Sequence, residues 1–497
     1  MDNNTTDNQL SRRDFIKTSA AVGGGLAIAA SPLSVVFGSS RKRKKYAIVG
    51  TSGRSRMYQQ AILKEYGKTA ELVGLCDLNE GRLRLAQSRA KKMGAKNVPI
   101  YAHTQFDNMI TETKPDVVIV TTMDSTHDEY IVRGMELGCD VITEKPMTTD
   151  ADKCQRIVDT QRKTGRICTV TFNYRYSPPR TQVKDLLMSG LIGEPLSVDF
   201  HWMLNTHHGA DYFRRWHSQK KFSGGLMVHK ATHHFDLVNW WLSAIPVSVF
   251  ATGKREFYTP DMAKRLGLSS YHERCHTCPE KSQCGFELDI EANPKLKELY
   301  LDNEQYDGYF RDRCVFRPDI DIEDTMNVIV GYDNKTTMSY SLNAFNAWEG
   351  YYIVFNGTKG RIEHSIEEKV YVNGTDSEQG GIKKGGTRTK IIPLRDAPYE
   401  VETWSGEGGH GGGDKVLLDD LFGASTAKDK YLRAADYRSG AYSILIGVAA
   451  NKSIASGQEI QIADLVTGLD YPDYPEMPLK TGQLPMPGKT GKYQNAR

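Results

Sequence analysis

The 497-residue chain lacks charge of one dominant sign: 64 Lys and Arg face 61 Asp and Glu, a formal net charge of +3. A nucleic-acid-binding domain shows itself as a basic patch or stripe, and no such footprint is present. The single basic block, Arg41-Lys42-Arg43-Lys44-Lys45, sits in a linker and reads as a solvated charge run. After residue 40 no apolar stretch approaches the roughly 20 residues that a membrane span needs, so no span is expected in the mature chain. The length excludes a single hydrophobic core, and two domains plus a tail are expected.

The N-terminus is more specific. Ser11-Arg12-Arg13-Asp14-Phe15-Ile16-Lys17 resembles the twin-arginine export motif and is followed by a small, weakly apolar run over 20–30. A membrane anchor is the alternative, but the run is short and rich in glycine. Ala27-Ile28-Ala29 suits a peptidase site, leaving 1–40 as signal and linker. This route carries folded proteins, so a bacterial, periplasmic protein is expected.

The eight cysteines fall into two groups. Cys76, Cys139, Cys154 and Cys168 lie in apolar patterns and read as core thiols. Cys275, Cys278, Cys284 and Cys314 form C-x2-C-x5-C followed, after 29 residues, by a fourth Cys in a polar segment. That spacing suits a structural zinc site or two disulfides, either of which staples a loop-rich insertion.

From residue 45 the pattern alternates short apolar runs with helical periods. A strand over 45–50 ends at Gly50-Thr51-Ser52-Gly53-Arg54-Ser55, a degenerate dinucleotide turn with Ser52 and Ser55 where glycines are usual. A helix over 57–66 and a strand over 70–76 lead to Asp77, 27 residues after Gly50, placed to accept ribose hydroxyls. Asp77 favours NAD, while Arg82 leaves room for the 2′-phosphate of NADP. A buried run over 116–121 brings Thr121, Thr122 and His127 to the ligand end of the sheet. The strand over 140–143 ends in Glu144-Lys145-Pro146, with Lys145 well placed for proton chemistry.

The stretch from Gly224 to Leu242 reads as one helix. His229, His233, Asp236 and Trp240 follow an i, i+4, i+7, i+11 stripe beside Lys230, with Val228, Ala231, Phe235, Val238 and Leu242 opposite. Ser223 and the Gly224–Gly225 pair supply a cap and a flexible entry.

Taken in order, the Gly50 turn, Asp77, the Thr121–His127 stretch, Glu144-Lys145-Pro146, Asn173-Tyr174-Arg175-Tyr176-Ser177-Pro178, the His-bearing helix and the segment over 442–457 resemble the Gfo/Idh/MocA oxidoreductases. The resemblance implies an α/β plus α+β architecture. A Rossmann domain over 41–170 precedes a domain over 171–470 with a large, mostly antiparallel sheet, a Cys-rich insertion near 253–320, and a tail over 471–497. Strand-like runs over 196–201, 247–253, 325–332, 336–343, 351–356 and 361–364 agree by alternation. It further implies NAD or NADP as cofactor, a carbohydrate substrate and a homo-oligomer formed through the sheet.

In such enzymes Lys145 and His233 act around a secondary alcohol, Asn173 joins the cofactor site, and Tyr174 and Arg175 line the substrate pocket. Lys230, Asp236 and His410 are further pocket candidates, with Trp202, His207, His208 and Trp348 weaker. One departure stands out: the family commonly has Asp where this chain has His229, so the usual Lys–Asp–His network must be altered. The expected activity is hydride transfer from a sugar, glycoside or polyol. The alternatives are a redox glycosidase that recycles its bound NAD and, less favoured, a sugar-binding protein without turnover.

Overall fold

The computed structural model describes residues 43–375, 378–424, 427–478 and 484; the twin-arginine segment lies outside them. The first sheet is built from β1 (Lys44–Val49), β2 (Ala70–Asp77), β3 (Ile100–Ala102), β4 (Val117–Val120), β5 (Asp140–Thr143) and β6 (Cys168–Val170), all parallel in the order β6-β5-β4-β1-β2-β3. Ala47–Val49 and Val117–Val120 are buried throughout, as central parallel strands covered on both faces must be. The order reverses between β1 and β4, whose carboxyl ends therefore frame the ligand crevice.

The second sheet has nine strands: β7 (Pro195–Asn205), β8 (Pro246–Lys254), β9 (Thr325–Tyr332), β10 (Thr337–Asn346), β11 (Glu349–Gly357), β12 (Gly360–Glu368), β13 (Ile382–Pro393), β14 (Tyr399–Glu400) and β16 (Ile460–Gln461). Every pairing is antiparallel except β7 with β10. All six expected runs are strands. β13 escaped sequence reading because its Lys383-Lys384-Gly385-Gly386 start lacks alternation. The inner face carries Val198, Phe200, Trp202, Met338, Tyr340, Leu342, Tyr351, Ile353 and Phe355, all buried.

Late elements of the chain return across the boundary between the two domains. β15 (Ala435–Asp436) pairs antiparallel with β6, and the helix Gly413–Phe422 sends Leu418 and Phe422 into the core around Tyr46 and Tyr58. Phe422 meets Tyr46 edge-on at 5.0 Å between centroids. The long helix Tyr437–Ser456 follows, started by the Asp436 side chain accepting from the Arg438 and Ser439 amides and stopped at Gly457 in the left-handed region. Gly447 lets it touch its neighbour: a Cβ there would lie 2.4 Å from the Met227 carbonyl oxygen.

The expected single helix from Gly224 to Leu242 is two, Leu226–His229 and Thr232–Leu242, and no face is wet. Ser223 ends a preceding short helix and accepts from the Gly225 amide at 3.0 Å. All eleven residues of the longer piece are buried. Each fully buried Val, Leu or Phe there contributes about 1.5–3 kcal/mol. The polar residues are mostly satisfied internally: His234 Nδ1 meets the Tyr340 hydroxyl at 2.7 Å, and the two indole N–H groups donate to Tyr431 and Arg180 carbonyls.

Candidate active site

Gly50 sits at φ +86°, and a Cβ would come within 2.6 Å of the Thr121–Thr122 backbone, so only glycine fits the turn. Asp77 at the tip of β2 accepts from the Thr51 amide at 2.5 Å and the Thr51 hydroxyl at 2.8 Å through Oδ2, and from the Asn79 amide at 2.8 Å through Oδ1. Oδ1 retains acceptor capacity for a ribose hydroxyl. Arg54 and the Tyr58 hydroxyl both donate to Glu144 Oε1 at 2.6 Å. Burial works against the Glu144 charge, yet these partners hold its pKa below the usual value. Thr121 bonds the Val49 and Gly50 carbonyls, so its role is to hold the turn. His127 reaches the Pro146 carbonyl at 2.8 Å and the Thr122 carbonyl at 3.3 Å, tying together the loops after β4 and β5.

Lys145, joined to Pro146 by a cis peptide bond, donates to the His229 carbonyl at 3.1 Å. Among the described residues it has no carboxylate at ion-pair distance. Burial pulls its pKa down to about 8, against the attraction of Asp124. Asp124 itself, unforeseen in the sequence, meets His229 Nδ1 at 2.5 Å. The carboxylate missing from position 229 thus returns from the tip of β4. Burial raises the Asp124 carboxyl well above the usual range despite Lys145 and Arg215, and holds the His229 imidazolium well down.

Asp124, His217 and His229 bring ligand-capable atoms within 4.8 Å of one another. Lys145 and Arg215 face the same group, and a dication beside two cations is opposed electrostatically. We read it as a hydrogen-bonded dyad.

A narrow pocket opens beside Lys145, with Tyr174, His233, Lys230, His208, His410, Glu349 and Glu368 on its walls. His233 stacks on Tyr174 at 4.3 Å between centroids, and its buried Nδ1 has no hydrogen-bond partner. Burial, then Lys145, keeps the imidazole neutral. Lys230 lies 4.4 Å over the Trp202 ring. Burial lowers its pKa while Glu349 and Glu368 oppose.

Glu349 and Glu368 are direct cross-strand partners between β11 and β12, each 1 % exposed. Like charges so placed destabilise a sheet unless compensated. His208 Nδ1 and the Asn205 amide take Glu349 at 2.8 and 2.7 Å, while Arg180 takes Glu368 at 2.5 Å. A buried pair of this kind is the sequence signal that was missed, since it appears only once the strand register is known. On the far wall, Asn173 donates to Asp414 at 2.7 Å, and His410 meets both residues. Asn173 is therefore engaged with the helix start at Asp414.

Two expected pocket residues are elsewhere. Arg175 and Asp236 form a bidentate pair at 2.8 and 2.6 Å, fully buried and off the cavity wall. Nε and Nη2 of Arg175 are taken up by Asp236, and neither side chain lines the cavity. Trp202 backs Lys230, and Trp348 is exposed. The core cysteines Cys76, Cys139, Cys154 and Cys168 are buried. Cys275, Cys278, Cys284 and Cys314 line one small cavity with no bond between any two.

Comparison with known proteins agrees with this geometry. Residues 44–172 match the oxidoreductase-family NAD-binding Rossmann fold, 184–462 the C-terminal alpha/beta domain of the same family, and 9–29 a twin-arginine translocation signal. YteT of Bacillus subtilis (strain 168), which carries an oxidoreductase name, is 36 % identical over 431 residues, covering 85 % of this chain and 98 % of YteT. The D-glucoside 3-dehydrogenase of Escherichia coli (strain K12) is 33 % identical over 124 residues, 25 % of this chain and 33 % of that protein. The WlbA dehydrogenase of Bordetella pertussis, solved with NADH and UDP-GlcNAcA, shares the fold with a TM-score of 0.55 at 18 % identity, covering 84 % of this chain and 99 % of that one. No helix among the described residues is long and apolar enough to cross a membrane. The signal marks the protein for export across the cytoplasmic membrane, and the chain belongs to the Gfo/Idh/MocA family of NAD(P)-binding oxidoreductases.

Proposed function

We propose that this enzyme oxidises a secondary alcohol of a sugar, glycoside or polyol with NAD in the periplasm. The observation that carries the reading is the convergence of Lys145 and His233 on one polar cavity, with Glu144, the neighbour of Lys145, bonded to Arg54 of the Gly50 turn. Gly50, Thr51, Ser52, Gly53, Arg54, Asp77, Thr122 and Pro146 are the residues that would hold the dinucleotide, with Thr121, His127, Glu144 and Asn173 fixing them. When bound, NAD supplies the hydride acceptor.

His233 accepts the hydroxyl proton on a ring nitrogen. Its depressed pKa makes it a weak base alone, so the Lys145 ammonium must hold the alcohol oxygen and stabilise the charge that develops there. Lys230, Glu349, Glu368 and His410 offer donors and acceptors to the remaining hydroxyls, and the Asp124–His229 pair positions Lys145. The redox glycosidase reading retains one specific support. His208 with Glu349 is an acid–base couple on the cavity wall, as an elimination after oxidation requires.

One experiment separates these. Purified protein is denatured to identify any released nucleotide, and native protein is incubated with a glycoside panel. Keto-sugar formation is expected. Free aglycone with no net change in NAD redox state assigns the glycosidase instead, and a protein that binds nucleotide but turns over nothing assigns a sensor. The outer face of the second sheet exposes Phe250 and Ile329, 41 % and 46 % accessible and directly paired in register, which supports a homo-oligomer. The shared thiol cavity supports zinc over disulfides, checked by metal analysis of the purified protein.

A further inference from the structure

The insertion between β8 and β9 packs directly against the nucleotide half. Its segment over 290–306 builds a small core of Ile290, Leu296, Leu299 and Tyr300 against Leu85 of the helix Glu80–Lys92. The Asn79 side chain donates to the Asn303 carbonyl at 2.9 Å, and the Ser52 hydroxyl lies 3.3 Å from that of Tyr300. The fit leaves no slack: a Cβ on Gly81 would fall 1.8 Å from Asn303 Oδ1. These residues flank both the dinucleotide turn and Asp77.

In this contact Arg82 is hydrogen-bonded and ion-paired to Asp307, with the two side chains 11 % and 7 % exposed. Arg82 is the cation after Asp77 that the sequence offers to a 2′-phosphate. A phosphomonoester at that position carries close to two negative charges and needs unpaired donors. It would instead meet an arginine whose Nη2 is held by Asp307 and whose buried Nε is unbonded, together with the carboxylates of Asp77 and Asp307.

We propose that Asp307, supplied by the insertion, sets the dinucleotide specificity of this enzyme by occupying Arg82, and so selects NAD against NADP. The inference rests on the dinucleotide reading of the Gly50–Asp77 crevice. It gives the Cys-bearing insertion a role in cofactor choice.

The test measures the dissociation constants of NADH and NADPH by titration of the intact exported protein, its own nucleotide removed beforehand. The wild type is expected to favour NADH by on the order of 100-fold. Asp307→Asn, nearly isosteric, frees Arg82 and should reduce that ratio by at least about tenfold. Adding Arg82→Met to it should abolish the gain in NADPH binding. An unchanged ratio in Asp307→Asn, or a wild type that prefers NADPH, overturns the role of Asp307 while leaving the crevice intact. Failure of the wild type to bind either nucleotide overturns the dinucleotide reading itself. The wild-type ratio requires no variant, so the proposal remains exposed even if Asp307→Asn does not fold.

Discussion

Lys145, half-buried, and Arg175, fully buried, are cations close to the same helix pair, and they have opposite fates. Arg175 has a carboxylate matched to its fork, and although burial disfavours its charge, Asp236 raises its pKa. Lys145 has only a backbone carbonyl and sits near its titration point at about 8. A guanidinium does not give up its proton, whereas an ammonium in a dry site does. Pairing closes a site and poverty of partners opens one: the cation with few bonds lines the cavity, and the satisfied cation holds the fold together.

The largest expected effect tests the open half. Lys145→Ala should lower kcat/KM by about 10³-fold, and His233→Ala by about 10²–10⁴-fold, with melting temperatures little changed. Unchanged turnover in Lys145→Ala would sink the catalytic assignment. The closed half should respond in the opposite coin. Asp236→Asn strands a buried guanidinium and should cost about 3–5 kcal/mol in denaturant unfolding, with nucleotide affinity of the folded fraction retained. If the substrate KM alone rises and stability holds, Arg175 and Asp236 belong to the pocket after all.

A pH profile sharpens the contrast. Lys145 acts as the ammonium, which is lost as pH rises, so kcat/KM should fall above about 8. His233 acts as neutral imidazole, so no acid limb should appear until well below 6.5. Asp124→Asn removes a charge that favours the ammonium and should move the alkaline limb to lower pH. A limb that stays in place shows that Asp124 carries its proton. The smallest effect concerns the backing of the site: Gly447→Ala presses a methyl onto the Met227 carbonyl and should destabilise by about 1–3 kcal/mol, measured by thermal unfolding.

The parts legible in the sequence were those written locally. Continuous apolar runs gave the parallel strands, Gly50 and Asp77 gave the crevice, and Lys145 stood out at a strand tip. What stayed hidden depends on register and convergence. Glu349 and Glu368 look unrelated until β11 and β12 pair, and Asp124 is one acid in a polar loop until His229 is brought to it. The stripe of His229, His233 and Asp236 misled in an instructive way. The helix is interrupted at Lys230–Ala231, and Asp236 turns to Arg175 while His233 turns to the cavity. Helical periodicity places residues on a face, but it does not say which partners await them.

The two-residue strand β15 carries a consequence for biosynthesis. It seals the β6 edge of the first sheet, yet it is made after nearly all of the second. During translation the nucleotide half therefore waits with an open, pairing-competent edge until Ala435 leaves the ribosome. Chains truncated before that point should be a target for aggregation, and only the full-length product can present itself for export as a finished fold.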